Sequence, residues 1–179
     1  KKYTFTDLYD SEDILNMAQH NLEILNSESK ITLSIVPSAG ENINKNIEDV
    51  LYDAIFIFQT LEHVEDERKV ILNINRLLKI NGLVFVSAPQ EFGLLYLFRE
   101  LGRFLYLGET TNTLPEMFYA SLGKLDKVKR VVGGHKGYDY RRTLETFLLS
   151  GFNLLDCKIY PCRSFAYGVL LVFEKIATV

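Results

Sequence analysis

Residues 52–89 read YDAIFIFQTLEHVEDERKVILNINRLLKINGLVFVSAP. The apolar run at residues 54–58 shows no polar alternation, as expected of a strand covered on both faces, and residues 83–88 nearly repeat it. Between them Val70, Ile71, Ile74, Leu77 and Leu78 recur at helical spacing, and Glu65, Asp66 and Glu67 sit where a helix N-terminus favours negative charge. Asn81 and Gly82 follow, both tolerant of the left-handed conformation that ends helices. The stretch is one βαβ unit, and in an open parallel sheet ligands bind where strands finish and helices begin.

The alternation continues outward. Residues 3–7 and 31–36 read as strands flanking a helix over residues 11–25, with Ser11 as N-cap and Ile14, Leu15, Ala18, Leu22 and Leu25 on its buried face. Residues 91–136 form an apolar and basic stretch. Residues 141–150 then read as a helix stopped by Gly151, and 153–160 and 167–175 as strands paired in an antiparallel hairpin. The fold class is α/β, a single domain over residues 1–179.

Composition narrows the function. A chain of 179 residues, 47% hydrophobic and 24% charged, can bury a full core, and its net charge of -3 gives no reason to expect a nucleic-acid partner. No uninterrupted apolar run reaches the roughly 20 residues of a membrane span, and no signal peptide is visible, so a cytoplasmic location is expected. Cys157 and Cys162 have no His/Cys cluster around them and read as reduced thiols rather than zinc ligands.

The central unit resembles the class I S-adenosylmethionine-dependent methyltransferases. The resemblance rests on Tyr52-Asp53 entering a strand, Leu61-Glu62-His63-Val64 after it, Arg76-Leu77-Leu78-Lys79 ending the helix, and Asn81-Gly82 leading through a strand to Ala88-Pro89. Relatives read FD, LEH, R-x-L-K-P-G-G and then a proline; here Ile80 and Asn81 replace the usual Pro and first Gly. The resemblance implies a Rossmann-like fold, mostly parallel with an antiparallel C-terminal hairpin, and S-adenosyl-L-methionine as cofactor. In the family a glycine-rich turn follows the first strand, and no such turn occurs here. The first strand and its helix would then lie upstream of Lys1, in a longer enzyme of which this is a fragment. Alternatively, the chain is a degenerate member that fills the gap otherwise.

The resemblance also assigns roles. Asp7 matches the acid that accepts hydrogen bonds from the cofactor ribose, with Leu8 beside it; Asp10 competes for that role, and both acids also read as turn or capping residues. Ser38 and Ala39 stand where relatives place the adenine contact, or form an ordinary turn. Phe58, Gln59 and His63 flank the strand end where cofactor and acceptor meet. His63 reads as a catalytic base, a polar lining residue or a cap on local backbone. In some relatives an acid at the Gln59 position joins Glu62 and His63 around a divalent metal; Gln59 is a poorer ligand for a hard cation, so no metal is expected.

Residues 91–136 are expected to choose the acceptor, as a helical lid or substrate-binding insertion. The apolar residues of 92–107, punctuated by Arg99 and Arg103, suit a lid, a dimer face, a membrane-surface contact or a plain core-covering helix. Residues 133–138, GGHKGY, read as a hinge with polar tips. His135, with a possible catalytic role, and Phe92, Tyr138 and Tyr140 are the acceptor-site candidates. Methyl transfer to a small-molecule or lipid-like acceptor is thus the expected function. The alternatives are a non-catalytic methyltransferase-like binding or scaffolding domain and a dinucleotide oxidoreductase, the latter disfavoured because no G-x-G-x-x-G follows a strand.

Overall fold

The computed structural model describes residues 2–7, 16, 20, 23, 32–37, 40–43, 51–108, 110, 112–162 and 165–177. The predicted helix over residues 11–25 therefore lies outside the described residues, apart from Asn16, His20 and Glu23, which are helical and exposed. Leu8, Asp10, Ser38 and Ala39 also lie outside them.

The chain divides into two compact units, Lys1–Val50 and Leu51–Val179. In the first, β1 (Lys2–Asp7) and β2 (Thr32–Pro37) pair in parallel, with Lys2 opposite Thr32 and Asp7 opposite Pro37. Parallel neighbours need a crossover connection rather than a tight turn, and the 24 residues between Asp7 and Thr32 supply its length.

The second unit holds a four-stranded mixed sheet in the order β3–β4–β6–β5. Its strands are β3 (Tyr52–Phe58), β4 (Leu78–Pro89), β5 (Phe152–Cys162) and β6 (Phe165–Lys175). β3 and β4 run parallel, whereas β6 runs antiparallel to both β4 and β5, which gives the expected C-terminal hairpin. Helix α1 (Glu67–Leu77) supplies the βαβ crossover; the Asp66 carboxylate caps it by accepting from the Lys69 amide at 3.0 Å.

Leu78 and Lys79 depart from the helix end expected there. Helix α1 stops at Leu77 because Leu78 is already extended, and the left-handed Asn81 (φ 61°) lies within β4, where the pairing with β3 shifts register between Tyr52 and Ala54. Leu78 remains fully buried, so its apolar character was read correctly and its helical geometry was not.

One face of the sheet carries the core. Ile57, Val84, Val86, Val169, Leu171 and Phe173 pack with Val70, Ile71 and Ile74 of α1 and with Phe147 of helix α4 (Tyr140–Leu149). Phe147 stacks on Phe173 at 4.3 Å and meets Phe152 edge-on at 5.2 Å. The other face differs from the two-sided burial expected for residues 54–58. Phe56 and Phe58 are exposed; Phe56 stacks on Phe85 at 4.8 Å and meets the Phe58 ring at 5.9 Å.

Residues 91–136 hold helices α2 (Leu94–Leu107) and α3 (Leu114–Ser121). Thr113 and Glu116 form a capping box at the start of α3. Tyr96, Ala120, Leu125 and Val128 make a small second core, with Phe92 packed against it. Helix α2 buries Tyr96 and Glu100, while Leu94, Phe98, Leu101, Leu105 and Leu107 stay exposed, so it is not the core-covering helix that its composition allowed.

Candidate functional site

The parallel strands β3 and β4 finish on the same side of the sheet, and a cavity of about 550 Å³ opens there. Gln59, directly after β3, and Pro89, at the end of β4, line it together with Tyr167 of β6. Glu91, Arg99, Glu100 and Arg103 come from α2 and its approach, and Val131, Gly134, His135 and Lys136 from the loop before α4. This is the location that strand polarity dictates for ligands in an open α/β sheet.

Gln59 turns the chain out of β3 in the left-handed region (φ 49°), a costly conformation for a residue with a side chain. Two bonds to one residue hold it there: its amide donates to the Ser87 carbonyl at 3.0 Å, and Nε2 reaches Ser87 Oγ at 3.4 Å. A strained residue fixed to the neighbouring strand thus forms part of the cavity wall.

The wall is charged and internally paired. Arg99 reaches Glu91 at 2.6 Å and Glu100 at 3.7 Å, and both acids are almost fully buried. Burial opposes the charge on Arg99, but the Glu91 carboxylate more than offsets it and holds the guanidinium above its ordinary value. Lys136 pairs with Glu116 at 3.0 Å.

Beside the cavity, Glu62 is fully buried, and among the described residues no other residue hydrogen-bonds to its carboxylate oxygens. Burial pushes its pKa above the usual carboxylate range, against the attraction of His63 and His135. His63 Nε2 lies 4.0 Å and His135 Nδ1 3.9 Å from Glu62 Oε1, and the two imidazoles meet edge to face at 4.8 Å. Arg130 fastens this arrangement. Its guanidinium donates to the carbonyls of Glu62 at 2.6 Å, Val131 at 2.8 Å, Lys136 at 3.2 Å and Gly134, tying the turn after β3 to the loop that carries His135.

The expected site residues separate into three groups. Gln59 and His135 line the cavity, and His63 stands next to His135. Phe58 is the exposed last residue of β3, and Asp7 the last residue of β1. The acceptor candidates Phe92, Tyr138 and Tyr140 do not line the cavity. Tyr138 belongs to the main core, where its hydroxyl meets Thr143 Oγ1 at 2.6 Å, so the hinge expected at residues 133–138 ends on a buried anchor. Phe92 and Tyr140 stack on each other at 5.7 Å, and Arg141 covers Phe92 at 4.5 Å. Sequence reasoning missed Glu91, Glu100 and Tyr167 in the wall. The signal for the two acids was their place within an otherwise apolar run, since a carboxylate there must be exposed or paired. No helix among the described residues is long and apolar enough to cross a membrane.

Residues 3–86 match the methyltransferase domain family. No curated protein sequence matches the chain. Among solved structures, a SAM-dependent methyltransferase from Methanosarcina mazei superimposes with a TM-score of 0.59 at 16% identity, over 99% of this chain and 83% of that one. A S-adenosylmethionine-dependent methyltransferase from Clostridium acetobutylicum gives 0.63 at 10% identity, over 99% and 76%. The trans-methyltransferase CalH, solved in complex with SAH, gives 0.61 at 16% identity, over 98% of this chain and 43% of that one. The match to the methyltransferase domain family thus spans a little under half of the chain, and the fold is shared with S-adenosylmethionine-dependent methyltransferases over almost all of it.

Proposed function

We propose that the chain transfers a methyl group from S-adenosylmethionine to a small-molecule or lipid-like acceptor held in the cavity of about 550 Å³. The observation that carries this reading is the cavity itself, at the carboxyl ends of two parallel strands and with an imidazole in its wall. The cofactor supplies an already activated methyl group, so the protein has mainly to align it with the acceptor and to receive a proton where the acceptor carries one. His135 is the proton acceptor we assign, with His63 beside it. Asp7 is the ribose ligand we assign, because a carboxylate offers two acceptor oxygens to a vicinal diol; Leu8, Ser38, Ala39, Phe58 and Gln59 complete the proposed cofactor contacts.

Residues 1–179 act in this reading as one methyltransferase-like domain, which the alignment of solved relatives over 99% of the chain supports. Residues 91–136 serve as its substrate-binding insertion, since Glu91, Arg99, Glu100 and Arg103 come from them. Calorimetric titration of S-adenosylmethionine and S-adenosylhomocysteine into the chain tests the reading. Saturable binding that Asp7→Ala weakens and Phe98→Ser, on the exposed side of α2, does not is the expected result. Absence of binding to the wild type overturns it.

A further inference from the structure

We propose that Arg103 binds an anionic group, a carboxylate or a phosphate, on the molecule that occupies the cavity, so that the acceptor of the methyl group is an organic anion. That this molecule is an acceptor rests on the methyl-transfer reading; the anion site rests on where helix α2 puts its charges. Over Leu94–Leu107 the helix carries three charged side chains, Arg99, Glu100 and Arg103, and all three line the cavity. Leu94, Phe98, Leu101 and Leu105, spaced for the opposite face, are exposed. A surface helix ordinarily turns its charges to water and its apolar stripe to the core. Helix α2 does the reverse, so solubility does not account for Arg103.

The neighbouring cations are already committed. Arg99 reaches Glu91 at 2.6 Å and Glu100 at 3.7 Å, and Lys136 reaches Glu116 at 3.0 Å. Arg130 donates to the backbone carbonyls of Glu62, Val131 and Lys136. Arg103 is exposed and, among the described residues, makes no ion pair or hydrogen bond. The two acids of the wall do not offer the opposite charge to a ligand. Glu91 and Glu100 are almost inaccessible, and a cationic ligand could reach either only by competing with Arg99.

The guanidinium is suited to the task. Its planar fork of donors matches two oxygens of a carboxylate or phosphate, and such charge-assisted pairs are stronger than neutral hydrogen bonds. Pro89, Val131 and Tyr167 give the same cavity an apolar surface, and its volume of about 550 Å³ is that of a site for a small organic molecule. One free cation beside an apolar wall fits an anion with an apolar body better than a bare inorganic ion.

The test uses simple probes that share one apolar chain: octanoate, octyl phosphate and octylammonium, each below its micellar concentration. They are titrated by calorimetry into the chain with S-adenosylhomocysteine present, and S-adenosylhomocysteine alone is titrated in parallel. The expected result is saturable binding of octanoate or octyl phosphate and none of octylammonium; which of the two anions binds more tightly names the group. Arg103→Gln should weaken the anion by about 10-fold or more while circular dichroism stays native. Arg103→Lys, which keeps the charge and loses the fork, should recover part of that affinity. Leu105→Ser, on the outward face of α2, should bind as the wild type does. Anions that bind no better than octylammonium, or anion binding that survives Arg103→Gln, overturn the proposal even where S-adenosylhomocysteine binds. An Arg103-dependent anion site in a chain that binds no S-adenosylhomocysteine supports the anion site and overturns the methyl-transfer reading instead.

Discussion

The imidazole of His63 and the carbonyl of Gly133, 70 residues apart in sequence, meet at 3.0 Å. This bond joins the turn after β3 to the loop before α4, and with the Arg130 fork it fixes the side of the cavity on which His135 stands. His63→Ala removes it, and amide exchange in residues 131–137 is expected to accelerate about 5-fold, as loss of one charge-free hydrogen bond near 1 kcal/mol implies. His63→Asn, which keeps a donor at the Nδ1 position, should exchange near the wild-type rate. Equal exchange in all three proteins would show that the loop is held by Arg130 alone.

Glu116 offers a pH test. The Thr113 amide at its helix cap, then the Lys136 ammonium and the Lys129 amide, hold its carboxyl down at about 2, against an ordinary value of 4.5. A depressed folded-state pKa means the charged form stabilises the fold above the unfolded value, and that contribution disappears as pH falls from about 4.5 toward 2. Glu116→Gln should lose about 1 kcal/mol at pH 7, with the gap to wild type closing between pH 4.5 and 2 in denaturant titrations. A gap that stays constant down to pH 3 would locate its origin in packing instead.

Gly82 is required for space rather than for backbone freedom. A methyl group there would sit 2.7 Å from Leu78 Cγ and 2.8 Å from the Lys79 carbonyl oxygen, inside the irregular start of β4. Gly82→Ala is expected to cost about 1–3 kcal/mol, or about 2–4 °C in Tm per kcal/mol. Its neighbour Asn81 has a positive φ, so Asn81→Gly should leave Tm unchanged or raise it. Equal melting of Gly82→Ala and wild type would indicate that the turn relaxes.

Arg99 neutralises two acids that water barely reaches. Arg99→Met strands Glu91 and Glu100 and should destabilise the chain by about 2 kcal/mol after allowance for the partial exposure of the arginine, whose side chain is 38% accessible. Adding Glu91→Gln to Arg99→Met should restore part of that loss, because the charge closest to the lost guanidinium is then gone. A double variant no more stable than Arg99→Met would place the cost in lost packing of the arginine stem over Tyr96, where its guanidinium lies 5.0 Å from the ring.

Elements whose apolar residues repeat at one period were legible. Strands over residues 3–7, 31–36, 153–160 and 167–175 fell within a few residues of their observed ends, and Gly151 stops α4 with φ 85° as its place after a helix suggested. Leu78 misled because a helix face and a buried strand ask for the same residue. Phe56 and Phe58 misled because composition shows that a face is apolar but not whether anything covers it. At the site, Gln59 and His63 were legible from strand polarity. The meeting of Glu62 with His135 was not, since it depends on Arg130 folding the 131–136 loop back onto the turn, and no local pattern encodes a contact of that sequence separation. Tyr138 looked like a pocket aromatic until its hydroxyl found Thr143.

Among the described residues β3 pairs with β4 alone, and its run from Ala54 to Phe58 is free of charge, proline and glycine. The turn that carries Gln59 therefore takes its position from a single ladder, so any change that slips the β3–β4 register carries that wall of the cavity with it.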